Sequence, residues 1–288
     1  MAVVRIGTCS WADRGLVERW YPRGVGSPAA RLAYYAERFD TVEVDSPFYR
    51  LPSPETARKW AERTPDGFVF HAKASKGMTG HEPADRERAF AELREALEPL
   101  ERTGKLRGVL LQYPPSFRKS REALRELAAV APLLEPLAPL VEFRHRSWLE
   151  EDERADTLAA LERYGLAFVS VDSPRSRASN VLPRVAGATH AVAYVRFHGR
   201  NWRTWNLRGA ATSADRFDWR YSEDELAEWV EPLRRLASEA EEVYALMNNN
   251  RYDYAPRSAQ TLRKLLDDAG IAASGGREPD ADTQLELT

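Results

Sequence analysis

The stretch Ala193-Tyr194-Val195-Arg196-Phe197-His198 alternates apolar side chains with ionisable ones. A period of two is the repeat of a β-strand, whose successive side chains point to opposite faces of the sheet. Val195 and Phe197 therefore share one face, and Arg196 and His198 share the other. An apolar face must be covered by other elements, so the pattern predicts a strand packed under helices with its ionisable face turned to an interior.

Runs of this kind recur along the whole chain. In two earlier ones Glu43 with Asp45, and Glu142 with Arg144, alternate with apolar neighbours. Short apolar or β-branched runs predict eight strands in all. These are Val3–Thr8, Thr41–Asp45, Phe68–Ala72, Gly108–Gln112, Leu140–Arg144, Ala167–Asp172, Ala193–His198 and Glu242–Met247.

Amphipathic segments of helical period separate most of the predicted strands. They are Ser53–Arg63, Asp85–Arg102, Arg118–Val130, Asp152–Tyr164, Glu223–Ala240 and Arg257–Ala269. Strands that alternate with helices form a parallel sheet, and eight of them favour closure. The competing open, doubly wound sheet has a glycine-rich first turn, which is missing after Thr8. The sequence therefore predicts one α/β domain, a (β/α)8 TIM-type barrel with parallel strands.

The predicted barrel occupies residues 1–271. Residues 272–288 contain Ser274-Gly275-Gly276 and several acidic residues, and we expect a flexible C-terminal tail there. Two connections, 173–191 and 199–221, are too long for plain turns, and long loops in compact domains are often functional.

The composition is that of an ordinary globular protein. The formal net charge of -2 gives no overall attraction to nucleic acid or acidic lipid, so any such preference needs a local patch. The single cysteine, Cys9, leaves no disulfide framework. Without an apolar run long enough for a membrane span, or the pattern of a secretory signal at the start, we expect a cytoplasmic location and no membrane partner.

Ionisable side chains share the predicted inward face of most strands. Burying charges is costly unless they are paired, so the set predicts either an ion-pair lattice or a functional barrel mouth. Glu142 and His198 are the first candidates for acid–base catalysis, followed by Glu43, His71 and Asp172. The other members are Arg5, Asp45, Lys73, Gln112, Arg144 and Arg196.

Basic and aromatic residues are interleaved in the segments that follow the strands. This mixture suits a ligand with an anionic group and a flat or ring-shaped part, such as a nucleotide, a nucleic acid or a phosphorylated sugar. The alternative is a purely structural role, in which the tryptophans only cap the barrel core. The predicted ligand-binding residues are Trp11, Tyr49, Lys73, Arg144, His145, Trp148, Arg196, Arg200, Asn201, Trp202, Asn248 and Asn249.

Three other chemistries stay open at this point. His71, Glu142, Asp172 and His198 carry metal-ligating atoms, but their spacing matches no metal motif, so a divalent metal is possible and not favoured, and the cofactor is unknown. Glu43 with Glu142 could form a glycosidase-like carboxylate pair. Nucleophilic catalysis by Cys9 is disfavoured, since a small thiol is more often buried.

Several motifs resemble the YecE-like family, known as domain of unknown function 72. They are 6–11 (IGTCSW), 39–49 (FDTVEVDSPFY), 141–148 (VEFRHRSW), 194–200 (YVRFHGR) and 248–250 (NNN). The resemblance covers about residues 3–270 and implies a barrel fold, but it supplies no reaction. Asp45 departs from the asparagine that the family leads us to expect, and it adds a negative charge at the mouth.

The combined prediction is an enzyme that binds an anionic, ring-containing ligand at the C-terminal mouth of the barrel. Glu142 or His198 would be its acid–base group, and hydrolysis, metal-dependent or acid–base, is the reaction class considered. A non-catalytic barrel that binds nucleic acid or another ligand is the alternative, and the carboxylate-pair glycosidase ranks third.

Overall fold

A computed structural model of the chain describes residues 1–207 and 213–277. Its parallel strands follow one another around a closed barrel, in which β8 pairs with β1 and β1 pairs with β2. The predicted (β/α)8 TIM barrel is thus confirmed. The strands are β1 Val4–Thr8, β2 Thr41–Val44, β3 Val69–Lys73, β4 Leu106–Gln112, β5 Ala138–Glu142, β6 Ala167–Asp172, β7 Val192–Phe197 and β8 Glu242–Met247.

Helices lie between the strands and cover the outside of the barrel. Four of these helices start at a serine N-cap with acidic or proline residues in the first turn, as Ser53 and Pro54 do for α3. The helices are α1 Arg14–Arg19, α2 Pro28–Ala36, α3 Pro54–Glu62, α4 Arg86–Arg102, α5 Arg121–Ala128, α6 Ala131–Leu134, α7 Arg154–Arg163, α8 Glu223–Ala227, α9 Val230–Glu239 and α10 Tyr254–Asp268.

Two helical regions differ from the sequence prediction. The segment before β2 contains α1 and α2, which were not predicted because prolines and glycines between residues 22 and 28 interrupt its helical period. The helix predicted over Glu223–Ala240 is divided into α8 and α9. The break coincides with Trp229, whose buried indole donates a hydrogen bond to Asp172.

The barrel wall separates two kinds of packing. Outward side chains such as Val195 and Phe197 join the large core beneath the helices. Inward side chains in the lower half of the barrel form a smaller apolar cluster that includes Leu140 and Val169. The ionisable inward residues lie above this cluster, at the carboxyl ends of the strands. The interior is therefore apolar at its base and charged at its mouth.

The segment predicted as a tail is partly paired with the barrel. Ala273–Ser274 forms a short strand, β9, parallel to β1, and the Ser274 hydroxyl donates a 2.6 Å hydrogen bond to Asp40. β1 and β2 share one register pair, Thr8 with Val42, near the mouth. β9 pairs with the other end of β1. Residues 278–288 of the predicted tail lie outside the described residues.

The two long connections reach the mouth of the barrel. In the second, 199–221, residues 208–212 are outside the described part of the chain. Within residues 1–207 and 213–277, no helix is both long and apolar enough to cross a membrane.

Candidate functional site

A buried guanidinium joins two carboxylates at the centre of the barrel mouth. Arg196 Nη1 donates to Glu142 Oε2 at 2.6 Å, and Arg196 Nη2 donates to Glu43 Oε1 at 2.5 Å. Tyr194, two residues before Arg196 and of the same inward parity, donates its hydroxyl to Glu43 Oε2 at 2.9 Å. All four side chains are fully buried. We call Glu43, Glu142, Tyr194 and Arg196 the inner cluster.

Glu142 is held as a carboxylate. Besides Arg196, the Gln112 amide donates to its Oε1 at 2.8 Å, and Arg144 Nε lies 2.5 Å from the same oxygen. Burial alone would raise the pKa of Glu142, but the guanidiniums of Arg144 and Arg196 outweigh it and hold that pKa well below its usual range. A carboxylate in this state is a poor proton donor at neutral pH.

Glu43 has the opposite electrostatic balance. Burial raises its pKa to about 7, against the opposing charge of Arg196 and with a further rise from nearby Asp45. One guanidinium thus bridges two carboxyl groups whose pKa values are driven apart. Because an acid–base catalyst works best with a pKa near the working pH, Glu43 is the member of the inner cluster suited to proton transfer.

His198 lies beside the inner cluster as a neutral ring. Burial lowers its pKa to about 3. The charge of Arg144 lowers this pKa as well, and its effect is larger than the opposing effect of Glu142. The Asn248 amide nitrogen lies 2.7 Å from Nδ1, and Nε2 lies 3.2 Å from both Glu142 Oε1 and Arg144 Nη2. Phe217 stacks on the ring. His198 therefore connects Asn248 to the Glu142–Arg144 ion pair.

Above the inner cluster opens a cavity of about 1200 Å³. Its floor is formed by strand ends and contains Glu43, Lys73, Gln112, Arg144 and Asn248. Helices α2 and α3 contribute one wall. The long connections after β6 and β7 contribute another. The cavity therefore lies at the carboxyl end of the barrel, where (β/α)8 enzymes carry their active sites.

Charged groups of both signs line this cavity. Burial lowers the pKa of His81 to about 4, and Lys73, Arg144 and Lys76 lower it further, which identifies an electropositive region around the ring. Burial raises the pKa of Asp13 to about 6, with Asp45 adding to the rise. The cavity thus offers a ligand both cations and protonatable carboxyls.

Aromatic rings line the cavity between the charged groups. Trp11 and Trp60 meet edge to face with centroids 5.3 Å apart. Across the cavity, Trp205 lies 5.3 Å from the Arg144 guanidinium, and Phe217 completes that wall. These rings provide flat apolar surfaces next to cations.

A family model described as a protein of unknown function, DUF72, matches residues 5–283. The chain belongs to the DUF72 family. The resemblance to YecE-like proteins is thus confirmed, and two curated relatives carry that relationship. The DUF72 chain is 32% identical to UPF0759 protein YunF of Bacillus subtilis over 273 residues, 92% of this chain and 95% of YunF. It is 30% identical to UPF0759 protein YecE of Escherichia coli over 166 residues, 55% of this chain and 58% of YecE.

Solved structures of DUF72 proteins share the barrel. The Thermotoga maritima protein is 30% identical, with a TM-score of 0.80 over 92% of this chain and 99% of its own. The Enterococcus faecalis protein is 26% identical, with a TM-score of 0.82 over 92% of this chain and 96% of its own. None of these names states an activity.

The structure brings most of the predicted site residues together. Catalytic candidates Glu43, Glu142 and His198 meet around Arg196, and the predicted binding residues that line the cavity lie above them. Those residues are Trp11, Tyr49, Lys73, Arg144 and Asn248. Arg196 was predicted to contact the ligand, but both of its terminal nitrogens already donate to carboxylates.

The prediction that Asp172 faces the barrel interior is wrong. On β6 the inward residues are Ala167, Val169 and Val171, and Asp172 has the outward parity. It accepts hydrogen bonds from Arg200 Nη2 at 2.8 Å and from the Tyr221 hydroxyl and the Trp229 indole, each at 2.7 Å. We call Asp172, Arg200, Tyr221 and Trp229 the outer cluster. Arg200 therefore neutralises Asp172 and does not line the cavity.

Five other predicted site residues lie away from the cavity wall. Trp148 is buried against Phe143 and caps the outer core, which is the structural role considered as the alternative for the tryptophans. The remaining three polar side chains bond locally, and Trp202 is exposed on the loop that supplies Trp205 to the cavity. The polar contacts are His145 Nδ1 with the Ser147 hydroxyl, Asn201 with the Asp218 carbonyl, and Asn249 with the Trp219 carbonyl and Ser258.

His71 and Arg5 point inward below the mouth. His71 packs between Tyr194 and Tyr244, neither ring nitrogen has a hydrogen-bond partner among the described residues, and burial lowers its pKa to about 3. Arg5 donates to the carbonyl of Gly67 at the opposite end of the barrel. Neither residue belongs to the cavity.

Several residues of the inner cluster and of the cavity were missed by sequence reasoning. Tyr194 shares the inward parity of Arg196, a signal that was present in the strand pattern. Asp13, Trp60, His81 and Phe217 come from loops and from α3, where no periodic pattern marks the cavity side. Within the described part of the chain, no group of three or more His, Cys, Asp or Glu side chains is arranged to hold a metal ion.

Proposed function

We propose that this DUF72 protein is an enzyme that acts on an anionic, ring-containing ligand in the cavity at the barrel mouth. Glu43 is its acid–base group, in place of the Glu142 or His198 favoured by the sequence. Arg144 on the cavity floor contacts the anionic part, and the aromatic walls hold the ring. Nucleotides and phosphorylated sugars have this combination of parts.

The observation that carries the proposal is the split between two carboxyl groups on one guanidinium. Glu142 stays ionised because Arg144 and Arg196 outweigh its burial, whereas the pKa of Glu43 is about 7. Paired groups of this kind mark acid–base sites in enzymes. Glu43 lines the cavity and Glu142 lies beneath it, so the group able to exchange a proton is the one next to the ligand.

The contacts weigh against the two rival readings. A non-catalytic nucleic-acid barrel needs an extended basic groove, whereas the cations here share a concave cavity with four carboxyls. A glycosidase needs both carboxyl groups to face the sugar. Glu142 is not among the residues that line the cavity, and donors from Gln112, Arg144 and Arg196 saturate it, so it leaves the second position unfilled.

Calorimetric titration with adenosine 5′-monophosphate, ribose 5-phosphate and inorganic phosphate tests binding, with adenosine as the uncharged control. We expect the nucleotide to bind at least about tenfold more tightly than adenosine, because a charge-assisted contact contributes about 1.5 to 3 kcal/mol. Arg144→Gln should remove most of that difference. The matched control Lys264→Gln, on the exposed face of α10, should not change it.

Incubation of the bound compounds with the wild-type protein and with Glu43→Gln, followed by NMR of the products, tests catalysis. The proposal expects conversion by the wild type and none by Glu43→Gln, with ligand affinity kept within a few-fold. Absence of binding by every phosphorylated compound, or binding that Arg144→Gln leaves unchanged, would overturn it.

A further inference from the structure

Lysine is scarce in this chain and concentrated at the cavity. Of 42 basic residues, six are lysines, and Lys59, Lys73 and Lys76 line the cavity. Arginine cannot give up its proton in a protein, whereas a buried lysine can. A lysine at the floor of a cavity can therefore become a neutral amine, which the arginines around it cannot.

Lys73 is the lysine of this set that lies on the barrel floor. It ends β3 and has the inward parity of His71. Its Nζ lies 4.2 Å from the centre of the Phe48 ring, which shields one side of the amine from water. Lys73 forms no hydrogen bond or ion pair with residues 1–207 or 213–277.

Two other lysines show what a structural role looks like in this fold. Lys105 Nζ donates to the carbonyls of Ala61 and Thr64 at 2.7 and 2.6 Å. Lys119 Nζ lies 2.5 Å from a carboxylate oxygen of Glu153. Both amines are fully engaged within the protein, whereas that of Lys73 opens into the cavity.

The surroundings of Lys73 make its ammonium group easier to deprotonate. Burial lowers its pKa, and the neighbouring charge of Arg196 adds to this effect, while the carboxylates of Asp45, Glu142 and Glu43 oppose it. A desolvated lysine near another cation is a recognised arrangement for nucleophilic attack on a carbonyl. Glu43, a protonatable carboxyl, lines the same cavity floor.

We propose that Lys73 is a nucleophile that forms an imine with an aldehyde or ketone group of the ligand. The assignment narrows the ligand to anionic carbonyl compounds, and it rests on the proposed function of the cavity. It is carried by the position of Nζ in the cavity, its lack of a protein partner among the described residues, and the acid beside it.

The step balances with groups that are present. The Nζ lone pair forms a bond to the carbonyl carbon as the C=O π pair moves to oxygen, and a proton passes from nitrogen to that oxygen to give a carbinolamine. Glu43 then protonates the hydroxyl, the C–O bond breaks with release of water, and nitrogen forms the C=N bond. A protonated imine and the Glu43 carboxylate remain, and hydrolysis reverses the sequence.

Two related probes separate imine formation from simple anion binding. Pyridoxal 5′-phosphate carries a ring, a phosphate and an aldehyde, and pyridoxine 5′-phosphate has an alcohol in place of the aldehyde. The protein is incubated with pyridoxal 5′-phosphate and reduced with borohydride, and the labelled lysine is located by peptide mass spectrometry. Calorimetry with pyridoxine 5′-phosphate measures occupancy of the cavity without covalent chemistry.

The expected result is labelling that is concentrated at Lys73 and blocked by excess pyridoxine 5′-phosphate. Lys73→Arg keeps the positive charge and removes the nucleophile, so it should reduce the label at least about tenfold while pyridoxine 5′-phosphate affinity stays within about threefold. Lys73→Met is a second variant, for use if the arginine side chain does not fit at this position. The melting temperatures of both variants show whether they fold. Lys264→Arg is the control and should leave the label on Lys73 unchanged.

The remaining outcomes overturn the inference in distinguishable ways. Pyridoxine 5′-phosphate that binds in an Arg144-dependent manner, with label spread over exposed lysines and absent from Lys73, would leave the proposed function standing and refute the imine. If neither probe binds and the phosphorylated compounds above do not bind either, the proposed function fails and the imine fails with it.

Discussion

Glu142 and Asp172 end neighbouring strands, β5 and β6, yet they lie on opposite sides of the barrel wall. Each is buried, and each accepts from an arginine: Arg196 for Glu142 and Arg200 for Asp172. Glu142 lies below the large cavity. Asp172 lies under the helical layer, where the Trp229 indole covers it, and borders a smaller cleft of about 350 Å³.

The difference between the two clusters shows that an ion pair inside the barrel and one outside it have different roles. In the outer cluster Arg200 also pairs with Glu228 on the protein surface, so its charge is satisfied internally. In the inner cluster one cation serves two carboxylates, and the second of them, Glu43, is left with a pKa near 7. The outer cluster holds a helix to the barrel, whereas the inner one keeps a proton available at the cavity.

The largest expected effect comes from removing the shared cation. Arg196→Gln leaves two buried carboxylates without their guanidinium, so we expect a loss of about 3 to 5 kcal/mol in the free energy of unfolding at pH 8. Urea denaturation measures it. Arg200→Gln is the matched outer variant and should lose less, because Asp172 keeps Tyr221 and Trp229. Equal losses in the two variants would erase the distinction between the clusters.

The pH dependence of stability should come next in size. A carboxyl whose folded pKa lies above its unfolded value of 4.5 binds more protons in the folded state, so stability falls as pH rises from about 4.5 to about 7. For Glu43 the fall is on the order of 3 kcal/mol. Denaturation curves of Glu43→Gln should lack this component. Parallel curves for wild type and variant would show that Glu43 does not titrate in this range.

Asp172→Asn tests the structural role of the outer cluster. The amide can no longer receive a full ionic bond from Arg200, and we expect a loss of about 2 to 3 kcal/mol in the free energy of unfolding. Nucleotide affinity should stay unchanged, as calorimetry would show. A weakened affinity with intact folding would mean that Asp172 belongs to the functional site after all.

The quality of the strand pattern explains which predictions succeeded. In β2, β5 and β7 the apolar and ionisable residues alternate cleanly, and the structure places Glu43, Glu142 and Arg196 inward as predicted. In β6 both parities are largely apolar, so the inward placement of Asp172 depended on its charge alone. The apolar inward residues Val169 and Val171 fit a barrel interior at least as well.

Loop residues could not be predicted in the same way because loops have no side-chain period. Trp202 and Trp205 lie three residues apart on one connection, and only the structure distinguishes the exposed ring from the cavity ring. Trp148 lies in the connection after β5, yet it turns outward to stack on Phe143. Their types suggested a binding site, but their positions depended on tertiary packing.

Two tyrosines allow the smallest and most closely matched comparison. Tyr194 donates to Glu43 at 2.9 Å, and Tyr221 donates to Asp172 at 2.7 Å. Each Tyr→Phe variant removes one hydrogen bond to a buried carboxylate and should cost about 1.5 kcal/mol. Only Tyr194→Phe should also raise the pH midpoint of the Glu43 titration, since it removes a hydrogen-bond donor to the ionised form. A shift of equal size in both variants would contradict this.

Direct titration of Glu43 tests the central claim, that one guanidinium holds two carboxyl groups in different protonation states. Carbon-13 labelling of the glutamate carboxyl groups, with Glu43→Gln and Glu142→Gln spectra for assignment, would follow both signals with pH. We expect a midpoint near 7 for Glu43 and a Glu142 signal that stays ionised far below its usual range. A Glu43 midpoint at or below 4.5, with Glu142 taking up the proton instead, would contradict the account.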